Sequence, residues 1–216
     1  MILLLAILLA ARPAPAHQKP VKPDPARELA MRIQKFYART KDFSARFAQH
    51  RISASLGRAD DLTGTLRVKK PDLVRWDYET PEPRSIYLEG KTLSIYFPED
   101  KQAQVNHDFG GDQLSSAFSF LWGKGDLLRE FDPRPGKKPE GLPAGDALEL
   151  LPKKQMPGVT KLLLVVGKDG QVQASLVTSP QGDTNQIVFS EPRVDQGLED
   201  ALFHFVPPKG TFVQKL

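Results

Sequence analysis

From Asp42 onward, apolar and polar residues alternate with a period of two. Phe43, Ala45 and Phe47 fall on one side of the first run, and Leu62, Gly64, Leu66 and Val68 on one side of the next, the mark of half-buried strands. Further runs at Leu73 to Tyr78, Ser85 to Leu88, Leu93 to Phe97 and Ala103 to Asn106 are separated by turn formers such as Pro81-Glu82-Pro83 and Glu89-Gly90. Short strands joined by short turns predict an antiparallel meander, and such a sheet curls when one face must be buried.

Upstream the period is helical. Asp24 is a capping carboxylate and Pro25 fits the first helical position, where a missing N–H costs nothing. Leu29, Ile33, Phe36 and Tyr37 then form one apolar stripe, predicting a helix to about Thr40. After Gly110-Gly111 the helical period returns, with Leu114, Ala117, Phe118, Leu121 and Trp122 on one face and a second short piece around Leu127, Leu128 and Phe131. These pieces, an insertion at about 111–131, lie between glycines and the Pro/Gly/Lys-rich loop Pro133 to Gly145. A short amphipathic insertion of this kind either swings as a lid or packs permanently as a cap, and the pattern serves both.

Strands resume at Ala147 to Leu151, Thr160 to Val166 and Val172 to Thr178, with Lys168-Asp169-Gly170 as a hairpin turn. Leu162 to Val166 is apolar on both faces, so that strand is expected to be covered from two sides. Asn185 to Phe189 and a run through Phe203, Phe205 and Val206 are expected to finish the sheet, before Pro207-Pro208 and a basic tail. The pattern reads as one mainly β domain with some helix over 24–216.

The first residues modify this picture. Ile2 to Ala11 is uninterrupted and apolar, yet shorter than the roughly 20 residues a membrane-spanning helix needs. It ends in Ala14-Pro15-Ala16, a small-x-small cleavage pattern, so residues 1–16 are expected to be a signal peptide cut after Ala16, followed by a flexible arm at 17–23. The chain has no cysteine. An exported chain without disulfides must rely on a hydrophobic core, and without an N-terminal cysteine it is not lipid-anchored there. The expected unit is a soluble monomer.

Charge and motifs narrow the function classes. Thirty Lys and Arg against 26 Asp and Glu give +4, or 4 − 1 = +3 once Arg12 is removed, and no dense basic block marks a nucleic-acid binder. His17, His50, His107 and His204 lie far apart, with no metal-ligand spacing among them. No nucleophile elbow, phosphate loop or dinucleotide fingerprint occurs. Asp60-Asp61 and Glu199-Asp200 read as solvated turn residues, and Ser115-Ser116 as helix surface. No metal, cofactor or catalysis is expected. What remains is apolar surface: a curved sheet under a lid holds acyl chains at about 0.8 kcal/mol per buried methylene, though the same residues also make a closed core.

The motifs Gly64-x-Leu66-x-Val68-Lys69-Lys70-Pro71, Trp76, Asp77 to Pro81, Glu89-Gly90-Lys91-Thr92-Leu93 with Tyr96 and Pro98, and Phe203-x-Phe205-x-Pro207-Pro208-x-Gly210 resemble the periplasmic outer-membrane lipoprotein carrier family, LolA. Phe47-x-Gln49 and Val166-x-x-Asp169-Gly170 agree, so the resemblance covers nearly all of the mature chain. It implies an incomplete, half-open antiparallel β-barrel covered by short lid helices and an N-terminal helix. It also implies a periplasmic carrier that takes lipoproteins from an inner-membrane ABC transporter complex and delivers them to an outer-membrane acceptor, without catalysis.

The lining it implies is Phe47, Leu66, Val68, Val74, Trp76, Ile86, Leu88, Leu93 and Ile95, with Leu114, Phe118, Leu121 and Trp122 as the lid's apolar face. Where the family often has an arginine that hydrogen-bonds lid carbonyls, this chain has Lys70, expected to latch differently or more loosely because an ammonium lacks the rigid fork. Val74 is smaller than the cavity aromatic the family often has at that position. A lipoprotein-sensing module with the same half-barrel, and a periplasmic hydrolase, are the alternative readings.

Overall fold

The computed structural model describes residues 24–109 and 125–216. Helix α1 (Pro25–Arg39) opens where the sequence places it, with the Asp24 carboxylate accepting from the backbone N–H of Ala26 at 3.0 Å and of Arg27 at 3.4 Å. Its stripe of Leu29, Ile33, Phe36 and Tyr37 is buried, and it ends at Thr40, whose hydroxyl donates to the Phe36 carbonyl.

A meander follows: β1 (Asp42–Ser53), β2 (Arg58–Lys69), β3 (Leu73–Thr80), β4 (Arg84–Glu89), β5 (Thr92–Phe97) and β6 (Gln102–Asn106). After the short helix α2 (Leu127–Glu130) come β7 (Phe131–Pro135), β8 (Asp146–Pro152), β9 (Lys161–Val166), β10 (Val172–Thr178), β11 (Thr184–Val194) and β12 (Phe212–Lys215). Among the described residues these twelve strands form one sheet in the order β12-β6-β5-β4-β3-β2-β1-β11-β10-β9-β8-β7. Antiparallel pairing of β1 with β11 joins the two meanders, and β12 adds to β6 in parallel. The outermost described strands, β7 and β12, do not pair with each other, so the fold is a mainly β, open sheet that stops short of a barrel.

Leu88 of β4 and Phe131 of β7 belong to one core with the buried side of α1, although eight strand steps separate them. Laid flat at about 4.8 Å per step those strands would sit roughly 38 Å apart, so a core shared with a single helix requires the sheet to be concave. The concave face carries the core.

Three sequence expectations are corrected. The second helical piece stops at Glu130, and Phe131 begins β7, a strand that contains Pro133 and Pro135. Proline is tolerated there because β7 is an edge strand and one side of its backbone needs no donor. The rest of the Pro133 to Gly145 stretch runs over the convex face, where Leu142 packs on Val165 and Ala174 and covers the second apolar side of β9. Finally, the Phe203 to Val206 run is not a strand: Asp200–Phe203 is a 3-10 turn, and the supposed basic tail supplies β12. Phe203 is fully buried, the turn lying against β3 and β4, and Phe205 sits between Tyr87 and Tyr96 at 5.3 and 5.5 Å. The expected signal peptide and arm, and the lid positions Leu114, Phe118, Leu121 and Trp122, lie outside the described residues.

Candidate functional site

Cross-strand register decides which side chains share a face. Val68 opposes Val74, Val74 opposes Leu88 and Leu88 opposes Leu93. In the neighbouring row Leu66 opposes Trp76, Trp76 opposes Ile86 and Ile86 opposes Ile95. Directly opposed residues project to the same side, so these eight positions line one wall. Phe47 joins them from β1, its ring edge-on to Trp76 at 5.4 Å and to Tyr78 at 5.2 Å. Space for that ring comes from Gly64, which opposes Phe47 in β2.

Burial is uneven along this wall. Phe47, Leu66, Val68, Val74 and Leu88 are buried, whereas Trp76, Ile86, Leu93 and Ile95 are only partly so. In the other half Leu148, Leu150, Leu162 and Leu164 are at 0% exposure, with α1 packed against β7 and β8. The trough therefore has a filled half and, along β3 to β5, a partly open one. Phe43, Tyr78, Ile187 and Phe189 also belong to this core and were absent from the expected lining. Their strand parity was the signal: Phe43 precedes Phe47 by four residues and Tyr78 follows Trp76 by two.

At the Tyr78 end, Trp76 and Tyr78 stack at 6.1 Å with 8° between their planes, and the Arg84 guanidinium lies 3.9 Å from the centre of the Tyr78 ring. Burial pushes the Tyr78 phenol above its ordinary range, an effect that Arg84 opposes. Two polar atoms on this side are sealed from solvent and have no hydrogen-bond partner among the described residues: Trp76 Nε1, a donor, and Gln49 Oε1, an acceptor whose amide nitrogen donates to Asn185 at 2.8 Å.

The Phe43 end is closed by polar contacts. Asp42 accepts backbone N–H groups of Gln196, Gly197 and Leu198 at 2.7, 2.9 and 3.3 Å, fixing the loop after β11. His50 meets Asp61 and His204 meets Glu89 in solvent-exposed pairs. Among the described residues no three His, Cys, Asp or Glu gather as a metal site, and no helix is long and apolar enough to cross a membrane.

The family model for outer membrane lipoprotein carrier protein LolA matches residues 38–206. This chain belongs to the LolA family. An outer-membrane lipoprotein carrier protein of Chromobacterium violaceum is 32% identical over 84% of both chains, and one of Dechloromonas aromatica is 29% identical over 84% of this chain and 85% of its own. A structure of an uncharacterized conserved protein from Thermus thermophilus superposes with a TM-score of 0.56 at 16% identity, covering 89% of this chain and all of that one, and shares the fold.

In this LolA chain Lys70 reaches from the end of β2 to the end of α1. Its ammonium donates to the Tyr37 and Ala38 carbonyls in the last turn of α1, and its burial pushes its pKa below the ordinary lysine range while Asp195 pulls it back. The neighbouring Lys69 turns the other way, to the Leu198 carbonyl and the Asp200 carboxylate, each at 2.5 Å. One β2 terminus of this LolA fold thus holds both the helix and the C-terminal cover.

Proposed function

We propose that this protein carries acylated lipoproteins through the periplasm, holding their acyl chains against the concave wall of the open sheet. The supporting observation is the one-sided row of Phe47, Leu66, Val68, Val74, Trp76, Ile86, Leu88, Leu93 and Ile95 in a chain of the lipoprotein carrier family. Each methylene transferred from water to such a wall contributes about 0.8 kcal/mol, so one long chain is held firmly without any covalent step. No catalysis enters this reading.

The finer assignments belong to the same proposal. The half-open side along β3 to β5 receives the chains, and Leu114, Phe118, Leu121 and Trp122 form the apolar underside of a lid. Lys70 latches the trough through the α1 carbonyls. The N-terminal 16 residues direct export and are removed, leaving a single domain over 24–216 that acts as a monomer. An inner-membrane ABC transporter complex loads the carrier and an outer-membrane acceptor unloads it. Handover needs only that the acceptor hold the chains more strongly, since the occupied and empty forms exchange reversibly.

The test is release from membranes. Vesicles carrying a labelled triacylated lipoprotein and the transporter are incubated with the protein and ATP. Label appearing in a soluble one-to-one complex supports the proposal, and label remaining in the vesicles under conditions where the transporter hydrolyses ATP refutes it.

A further inference from the structure

The row of Leu66, Val68, Val74, Trp76, Ile86, Leu88, Leu93 and Ile95 is hydrocarbon in character except where the indole N–H of Trp76 interrupts it. That N–H is sealed from solvent and has no acceptor among the described residues. Buried N–H groups in folded proteins are nearly always paired, because each unpaired one costs a desolvation penalty that nothing offsets. An orphan in the packed half of a core would be a simple defect. Trp76 instead stands on β3 in the partly open half, its ring in contact with Phe47 and stacked on Tyr78.

Its chemistry defines its complement. An indole N–H donates and cannot accept, so it discriminates between a bare hydrocarbon, which offers nothing, and a group bearing a carbonyl oxygen. Among the described residues, Gln49 Oε1 and Ser175 Oγ are the other orphans facing this side of the sheet. The first is an acceptor and cannot serve a carbonyl. The second lies on β10 opposite Leu164 and Ile187, in the filled half. Among the described residues, Trp76 is the orphan donor in the open half.

Depth points the same way. Trp76 lies two residues, about 7 Å, inward from Tyr78, over whose ring the Arg84 guanidinium sits. A lipid whose polar head stays at the Arg84 level carries its acyl ester groups at about that depth, with hydrocarbon continuing toward Val74 and Leu88. Resting on the carrier reading above, we infer that Trp76 Nε1 is the hydrogen-bond donor for an acyl ester carbonyl of the bound lipoprotein. The site recognises acylated cargo by its ester linkage as well as by its chains.

The test compares two synthetic lipopeptides with the same peptide and chain lengths, one with ester-linked chains and one with ether-linked chains. Affinity is measured by fluorescence titration for the parent and for Trp76→Phe, which keeps an aromatic ring and removes the donor. The parent is expected to bind the ester lipopeptide about five- to tenfold more tightly than the ether, the range of one net hydrogen bond, and Trp76→Phe to bind both alike. Binding of the ester form should also shift the Trp76 indole proton downfield in nitrogen-15 spectra, a readout available without any substitution. Equal affinity of the parent for ester and ether with no indole shift overturns the inference and leaves the carrier reading intact. Failure of the parent to bind either lipopeptide overturns both.

Discussion

Gly64→Ala isolates the geometric condition on which the aromatic wall depends. Gly64 has no positive φ, so alanine meets no backbone strain there, and such a change ordinarily stabilises a protein by about 0.4–1 kcal/mol through the unfolded chain. Here the added Cβ would lie 1.9 Å from the backbone oxygen of Asp77 and 2.8 and 2.9 Å from two atoms of the Phe47 ring. The ring can turn aside, whereas the carbonyl moves only if β2 and β3 separate by more than about 1 Å at the bulge between Thr63 and Gly64. Loss of about two ladder hydrogen bonds at about 1 kcal/mol each, plus about 1–3 kcal/mol of overpacking, exceeds the entropic gain. The net expectation is a loss of about 3 kcal/mol, or roughly 6–12 °C in Tm for a domain of this size. Urea unfolding followed by tryptophan fluorescence and circular dichroism, with a check that m is unchanged, measures it. A variant as stable as the parent, or more stable, would show that β2 and β3 are not in contact at Gly64 as described.

Three further outcomes follow from the polar contacts. Asp42→Ala strips three backbone N–H groups of their acceptor and is expected to cost about 3 kcal/mol in urea unfolding; a loss under about 1 kcal/mol would mean the loop after β11 is held by other contacts. Lys70→Leu removes the donor to the Tyr37 and Ala38 carbonyls and is expected to impair lipoprotein transfer while Lys70→Arg restores it; transfer by Lys70→Leu equal to the parent removes Lys70 from the latch. Asp126 caps α2 and accepts from Gln34, and the N–H groups of Arg129 and Leu128 hold its carboxylate below the ordinary range. A depressed carboxylate contributes stability above its unfolded value and loses it as pH falls through the folded value, so Asp126→Asn should flatten the acid limb of stability below pH ~4.

Most of the architecture was written in periodicity. The Asp24-Pro25 start and the 29/33/36/37 stripe located α1 because capping and burial act locally, and the alternation from Phe43 to Ile95 located β1 to β5 because one face of each is solvated. The failures share a cause, which is that edge and cover segments obey different rules. Two prolines hid β7, although an edge strand needs donors on one side only. The spacing of Phe203 and Phe205 imitated a strand, yet both rings serve as plugs for the convex face. Four exposed residues gave β12 no pattern to detect. Within the candidate site, alternation grouped the row residues on one side of each strand, but the side taken as inward came from the family resemblance and not from the pattern. The unpaired state of Trp76 Nε1 among the described residues was not legible at all, since a missing partner is a fact of three dimensions.

The unclosed margin between β7 and β12 has a mechanical meaning. In a closed barrel, strand number and stagger fix the radius, so the bore is a constant of the architecture. A sheet whose two margins are unpaired among the described residues has no such constraint, and its girth follows from how tightly the ribbon coils at its bulges, between Ser44 and Arg46, between Thr63 and Gly64, and between Val172 and Ala174. The architecture therefore sets no fixed bore: those three register shifts, and not a closing seam, govern how wide the trough stands.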